Sequence, residues 1–235
     1  MRFAPEKTAI NRMGRDGNPK MTMPTRFLLE NGPQDLLTSA IFLGDCRVLD
    51  FGAGKSFDAQ LISEYFDPDE DREYALDLSY EGVSYDPYPR EGFEDRSEYP
   101  KGKFQLVVCN FVLNVLETEE QRQEVIQQVF SFLNTWKYAM FSVRSDSEIN
   151  KKNYETKVSE DTFISKKTKE WYTVQKGFSE SELVSFIKET MKGQGHVRHI
   201  PLSKKPSKDC TMVLFQKDIR FKSGESPKKK NESTL

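Results

Sequence analysis

No stretch of this sequence reaches the roughly 18 consecutive apolar residues that a membrane-crossing helix needs, so no such span is expected. The opening segment MRFAPEKTAINRMGRDG is polar and has no apolar signal core. Histidine is nearly missing. His196 and His199 form one HxxH with no carboxylate motif or third ligand nearby, which argues against zinc and leaves no metal site expected. The three cysteines, Cys46, Cys109 and Cys210, lack metal-like spacing. Cys46 and Cys109 sit by apolar runs and read as reduced core residues of a cytoplasmic protein. Internal repeats are absent too, which excludes solenoids and propellers.

The net charge of −2 conceals an asymmetry. Residues 1–150 carry 16 Lys/Arg against 26 Asp/Glu, a net of −10, and residues 151–235 carry 19 against 11, a net of +8. The positive part suits phosphate contacts and equally suits solvated lysines on loops and a tail.

Along the chain, apolar strands alternate with amphipathic helices. MPTRFLLENG reads as a short helix closed by Gly32, and QDLLTSAIFLG as a second helical pattern. CRVLDFGAGKSFDAQLISEYF is a strand, a glycine turn, and a helix with Leu61, Ile62 and Tyr65 on one side. An acidic loop precedes a short strand that ends at Asp86, where prolines follow. FQLVVCNFV is a strongly apolar strand. TEEQRQEVIQQVFSFLN is a helix with Thr118 as N-cap and Gln121 three residues on. KYAMFSVRS is a strand, SESELVSFIKETMKG a helix that Gly193 caps, and GHVRHIPL and CTMVLFQK a final antiparallel pair. This pattern predicts an α/β, mainly parallel seven-stranded sheet with helices on both faces. The expected organisation is a lid or extension over 1–35, a main domain over 36–220 with a polar insertion at about 146–177, and a disordered tail over 221–235.

The glycine turn carries the first chemical signal. Gly52 and Gly54 allow a sharp turn and close ligand approach, and the N-terminus of the helix behind them offers free N–H groups. The last glycine of a pyrophosphate-binding G-x-G-x-x-G is missing. Asp50 ends the strand instead. A carboxylate there repels phosphate and suits a ligand with an amino group. Asp86 ends the next strand, where a carboxylate can accept ribose hydroxyls, and Asn110 ends the FQLVVC strand. Each is also an ordinary strand-end or turn residue, but neighbouring parallel strands would bring all three to one crevice.

VLDFGAG, YDPYP and FQLVVCNFVLNVLE in this order resemble the motif series of class I S-adenosylmethionine-dependent methyltransferases, over roughly residues 45–220. The resemblance implies a Rossmann-like methyltransferase fold and S-adenosylmethionine as cofactor, held by Asp50, Gly52, Gly54, Asp58, Asp86, Asn110 and Phe111. More narrowly, TAINR, P-x-R-x-LL-x-x-G over 24–32, FVLNVLE and SVR are similar to prokaryotic and phage methyltransferases, some of them assigned to DNA phosphorothioation systems. Ser56 replaces the family's third glycine, Gln105 replaces its usual Asp, and the segment before Asp86 is longer and more acidic than usual.

DPYP lies after the second strand rather than the fourth, so it reads as ribose and adenine packing and not as an amino-methylase motif. A Pro-Cys nucleophile is absent, and Cys109 is a poor thiolate candidate. No general base stands out; Asn110 and Asn114 are candidates for positioning the methyl acceptor, and Arg144 for holding a phosphate or carboxylate or else forming a structural ion pair. Trp171, Tyr172 and Gln175, in the insertion, would stack on and hydrogen-bond a planar substrate or else pin the insertion to the core. Arg12 and Arg26 would close a lid. DNA or RNA is the expected partner. Two rivals remain: a catalytically silent S-adenosylmethionine- or nucleic-acid-binding module, and a nicotinamide oxidoreductase, which Asp50 disfavours.

Overall fold

Two β-sheets share one chain in the computed structural model, which describes residues 1–8, 18–32, 46–66, 80–88, 90–152, 154, 156–159, 161–204 and 206–218. The expected helix at 34–44, the acidic loop before residue 80, Arg12 and the 221–235 tail lie outside the described residues.

The main sheet holds β2 (Cys46–Phe51), β3 (Tyr80–Tyr85), β4 (Phe104–Asn110), β5 (Leu133–Arg144), β8 (His196–Ile200) and β9 (Cys210–Asp218), in the order β3-β2-β4-β5-β9-β8. The first four are mutually parallel, and β9 runs antiparallel to both β5 and β8. The near-continuous apolar runs of β4, the second half of β5 and β9 fit strands covered on both faces. On one face, α3 (Glu119–Phe132) and α5 (Glu180–Met191) pack Ile126, Val129, Leu183 and Ile187 onto Leu49, Val107 and Phe141. On the other, Leu28 and Leu29 of α1 (Met23–Asn31) and Ile62 of α2 (Asp58–Phe66) cover Val48, Val108 and Met140. Burying each such side chain fully is worth about 1.5–3 kcal/mol.

Helix ends follow local chemistry. Thr118 and Gln121 form a reciprocal capping box on α3, and Ser179 and Glu182 form another on α5. The Gly32 N–H closes α1 by donating to the Leu28 carbonyl at 2.7 Å.

Two expectations need correction. The main sheet has six strands among the described residues, not seven, because the polar run EGFEDRSEYP between β3 and β4 supplies no strand. The insertion is also more than a polar overhang. It contains α4 (Asp146–Lys151) and a hairpin of β6 (Thr162–Lys167) and β7 (Trp171–Lys176). The N-terminal β1 (Arg2–Phe3) adds to β7 in parallel, which makes a second sheet ordered β1-β7-β6. The start of the chain is thereby tied to the insertion.

The order of the main sheet sets the site. From β2 the chain crosses by α2 to β3 on one side, then returns to β4 on the other. Connections diverge between β2 and β4, which leaves a crevice at their carboxyl ends, the usual ligand position in open α/β sheets.

Candidate active site

The crevice is lined by the ends of β2, β3 and β4 and by residues of the second sheet and N-terminal segment, and encloses about 920 Å³ with its open mouth. Gly52 and Gly54 turn at φ +71° and +56°, the left-handed region that favours glycine. The Gly52 and Ala53 N–H groups donate to the Tyr85 carbonyl at 2.7 and 3.0 Å. A Cβ on Gly52 would lie 2.4 Å from Val112 Cγ2, so glycine here also lets the turn touch the segment after β4.

Asp50, next to last in β2, is 1% exposed, and its Oδ2 has no hydrogen-bond partner among the described residues. Burial, and next the charge of Asp58, push its carboxyl well above the usual range, against a lowering by the Ser56 hydroxyl. A buried acceptor left unpaired at the wall of a crevice costs about 1–3 kcal/mol, which a hydrogen-bond donor placed there would recover.

Asp58 does not join it. Its carboxylate is fully buried and accepts from the Thr22 N–H (2.7 Å), Thr22 Oγ1 (2.6 Å), Thr25 Oγ1 (2.7 Å) and Asn110 Nδ2 (2.9 Å). It is absent from the crevice lining. The ligand role expected for it gives way to a structural one: it joins α1, α2 and β4. Asn110 does line the crevice, yet its amide also donates to Thr22 and Thr25, and its Oδ1 accepts from Ser142 Oγ at 2.7 Å. Its polar atoms are committed within the protein. Thr22 and Thr25 were not foreseen, and only the helix-start pattern of T-M-P-T marks them in the sequence.

Asp86 follows β3 at 2% exposure and faces the crevice. Its Oδ1 accepts from the Tyr88 N–H at 3.0 Å, and Arg90 binds Oδ2 through Nε at 2.8 Å. Arg90 Nη1 also reaches the Pro5 carbonyl at 2.9 Å, so the same cation fastens the N-terminal segment over this corner. Arg96, whose guanidinium lies over the Phe93 and Phe57 rings at 4.8 and 5.4 Å, donates to the Ser56 carbonyl and shapes the glycine loop from behind. Neither arginine stood out in the sequence, because arginine in a polar connection looks like solvated surface.

Beyond β4 the chain bends sharply. Phe111 has φ +58°, unusual for a side-chain-bearing residue, and its N–H donates to the Ser142 carbonyl at 2.8 Å. The Arg144 guanidinium lies 5.2 Å over its ring and pairs with Glu148 at 3.1 Å. Asn114, in the 3-10 turn Leu113–Val115, is 1% exposed and donates to Gln175 Oε1 of β7 at 2.9 Å, with its own Oδ1 unpartnered. The buried Arg122 holds this turn by donating to the carbonyls of Leu113 (3.1 Å) and Leu116 (2.6 Å) and to Thr162 Oγ1 (3.0 Å) of β6. Phe111, Asn114, Arg144 and Gln175 all line the crevice.

Trp171 and Tyr172 do not line it. Trp171 carries the Lys166 ammonium 5.2 Å above its ring, and Tyr172 donates to Glu117 and packs 6.0 Å from the Phe3 ring. The stacking role expected of them gives way to pinning the second sheet in place. Arg26 is exposed on α1 and is likewise not part of the lining, whereas Pro5 and Thr8 of the N-terminal segment are. The described residues contain no cluster able to hold a metal ion, and His199 packs against Phe215 with its pKa lowered by burial. All three cysteines are free and buried. Burial pushes the Cys109 thiol up, away from nucleophilic use.

No protein-family model matches this sequence, and no curated protein matches it. Among solved structures, the chain is similar to an S-adenosylmethionine-dependent methyltransferase from Clostridium acetobutylicum (TM-score 0.49, 10% identity, 86% of this chain and 94% of that one). It is also similar to one from Methanosarcina mazei (0.45, 17%, 78% and 97%) and to the CcbJ methyltransferase from Streptomyces caelestis (0.47, 9%, 87% and 93%).

Proposed function

We propose that this protein is an S-adenosylmethionine-dependent methyltransferase. One observation carries the reading: at the switch point of a Rossmann-like sheet, the buried Asp50 carboxylate keeps an open oxygen beside the glycine turn. That donor set fits the cofactor. Asp50 would take the ammonium of the methionine moiety, which supplies the missing hydrogen bond and lets the carboxyl ionise beside a positive charge. Asp86 would accept ribose hydroxyls on the lone pairs that Tyr88 and Arg90 leave open. Pro87 and Tyr88 would flank the adenine. A pyrophosphate ligand fits poorly, because the crevice lining places the acceptors Asp50 and Asp86 where phosphate oxygens would need donors.

The bound cofactor supplies an already activated sulfonium methyl group, so the protein has chiefly to align it with an acceptor and keep water out. The apolar wall of Val112, Val115 and Leu116 excludes water, and the Arg122-clamped turn fixes the acceptor side. No histidine stands in the crevice lining to serve as a base, so an acceptor with its own lone pair suits the site.

Calorimetry with S-adenosylmethionine, S-adenosylhomocysteine and NAD tests this reading. Binding of the first two without NAD supports it. NAD binding alone would replace it with an oxidoreductase.

The finer reading is a nucleic-acid-related acceptor, in line with the likeness to phosphorothioation-associated methyltransferases. It is supported by the net +8 of residues 151–235 and by exposed Lys166, Lys167 and Lys169 at the hairpin turn. Binding to single-stranded DNA and RNA should weaken steeply as salt rises. Failure to bind either at low salt would remove this acceptor class and leave the methyltransferase reading standing.

A further inference from the structure

Asn114 and Gln175 come from different sheets and meet at the crevice wall through one hydrogen bond, Asn114 Nδ2 to Gln175 Oε1 at 2.9 Å. That bond uses one donor and one acceptor of the pair. It leaves Asn114 Oδ1, buried and without a partner, and Gln175 Nε2, which makes no hydrogen bond among the described residues. The open atoms are therefore one acceptor beside one donor. Turning both amides together reverses their order and still leaves one of each.

The pair is held firmly. Arg122 fixes the carbonyls on either side of Asn114, and the Tyr172–Glu117 hydrogen bond ties β7 to the same region. An amide oxygen buried and unpaired in a turn clamped this way is costly unless something completes it. None of the described residues does so, although the neighbouring Asn110 has both its side-chain polar atoms engaged.

We propose that Asn114 and Gln175 form the acceptor-recognition subsite of the crevice, and that it takes a planar nitrogen group presenting one N–H beside one lone pair. An amino-substituted nitrogen heterocycle and a primary carboxamide share this edge. Because the paired amides can invert, the subsite accepts either order of donor and acceptor. Carboxylates, which only accept, and alkylammonium groups, which only donate, would each leave one protein atom unpaired. The proposal rests on the methyltransferase reading for what happens to the group once bound, but not for its recognition.

The experiment is ligand titration of the full chain with small probes, in the presence and absence of S-adenosylhomocysteine. Adenine and cytosine represent the heterocycle and benzamide the carboxamide. Purine, without the amino group, and benzoate are the mismatched partners. At least one matched probe should bind about tenfold more tightly than its mismatched partner, and Gln175→Ala should erase that preference. Gln175 is partly exposed, so its loss should lower stability only by the cost of the unpaired Asn114 amide and leave S-adenosylhomocysteine affinity unchanged, and Asn114→Asp offers a second disruption. Which probe wins identifies the source of the edge. Equal binding of matched and mismatched probes, a preference that survives Gln175→Ala, or no probe binding would overturn the proposal. If S-adenosylhomocysteine fails to bind while the preference appears, the cofactor reading falls and the subsite stands.

Discussion

Asp58 Oδ2 and Asn110 Nδ2 lie 2.9 Å apart in the interior, joining the first turn of α2 to the end of β4. Thr22 and Thr25 of the α1 start complete the same cluster. The segment that covers the crevice from the N-terminal side is thus anchored on a carboxylate that does not line the crevice.

Asp58→Ala should accordingly lower stability by about 2–4 kcal/mol, since several buried donors lose their acceptor together. Thr25→Val, which removes a single hydroxyl, should cost about 1 kcal/mol. Chemical denaturation measures both. If Asp58 served the ligand directly, its loss would instead strike affinity in a protein of nearly normal stability.

Asp50 should behave in the opposite way. Its carboxyl is raised in the folded protein, so the folded state holds a proton that the unfolded state releases. The stabilising effect of that proton is complete below the ordinary aspartate value and fades as pH climbs through the raised folded value. Asp50→Asn should stabilise the ligand-free protein near neutral pH by about 1–3 kcal/mol and abolish S-adenosylhomocysteine binding. In the natural protein that affinity should rise with pH as Asp50 ionises. Melting curves and calorimetry from pH 5 to 8 check both.

Asp86→Ala removes the anchor of Arg90 together with the expected ribose contacts. S-adenosylhomocysteine affinity should fall by about 1–3 kcal/mol, the size of lost charge-assisted hydrogen bonds. Unchanged affinity in a folded variant would remove Asp86 from the ligand site.

Tyr172 is pushed up to about 12, first by its hydrogen bond to Glu117. Its folded value lies above its unfolded one, so the contribution is whole below about pH 10 and lost as pH rises through about 12. Tyr172→Phe should lower stability by about 1 kcal/mol, flatten this alkaline decline in urea titrations, and leave S-adenosylhomocysteine affinity alone. A loss of affinity would return Tyr172 to the crevice.

The parts of the site written in backbone terms were legible. A strand running into Gly52 and Gly54, with Asp50 before them, dictates a tight turn at a sheet edge whatever surrounds it. Asp86 was placed by the prolines that stop its strand, and the capping box on α3 by Thr118 and Gln121. Side-chain direction was not legible. A carboxylate at the first turn of a helix looks the same whether it faces a ligand or two threonines from a helix over 30 positions earlier, so Asp58 was misread. The β6–β7 hairpin escaped notice because TFISKK and WYTVQK carry their alternation under lysines, and the strand that joins them has only Arg2 and Phe3. Trp171 and Tyr172 were assigned by residue type alone, whereas Gln175, in the same strand, is the one whose register brings it to the crevice.

The pairing of Arg2 and Phe3 with Trp171 and Tyr172 also bears on how the molecule is assembled. Partners this distant in the chain contribute little until most of the polypeptide is in place, because the loop between them must close first. Arg2 and Phe3 are synthesised long before the strand they join, so this pairing waits on the arrival of β7. The second sheet therefore closes only once Trp171 and Tyr172 are in place, late in the chain's own order.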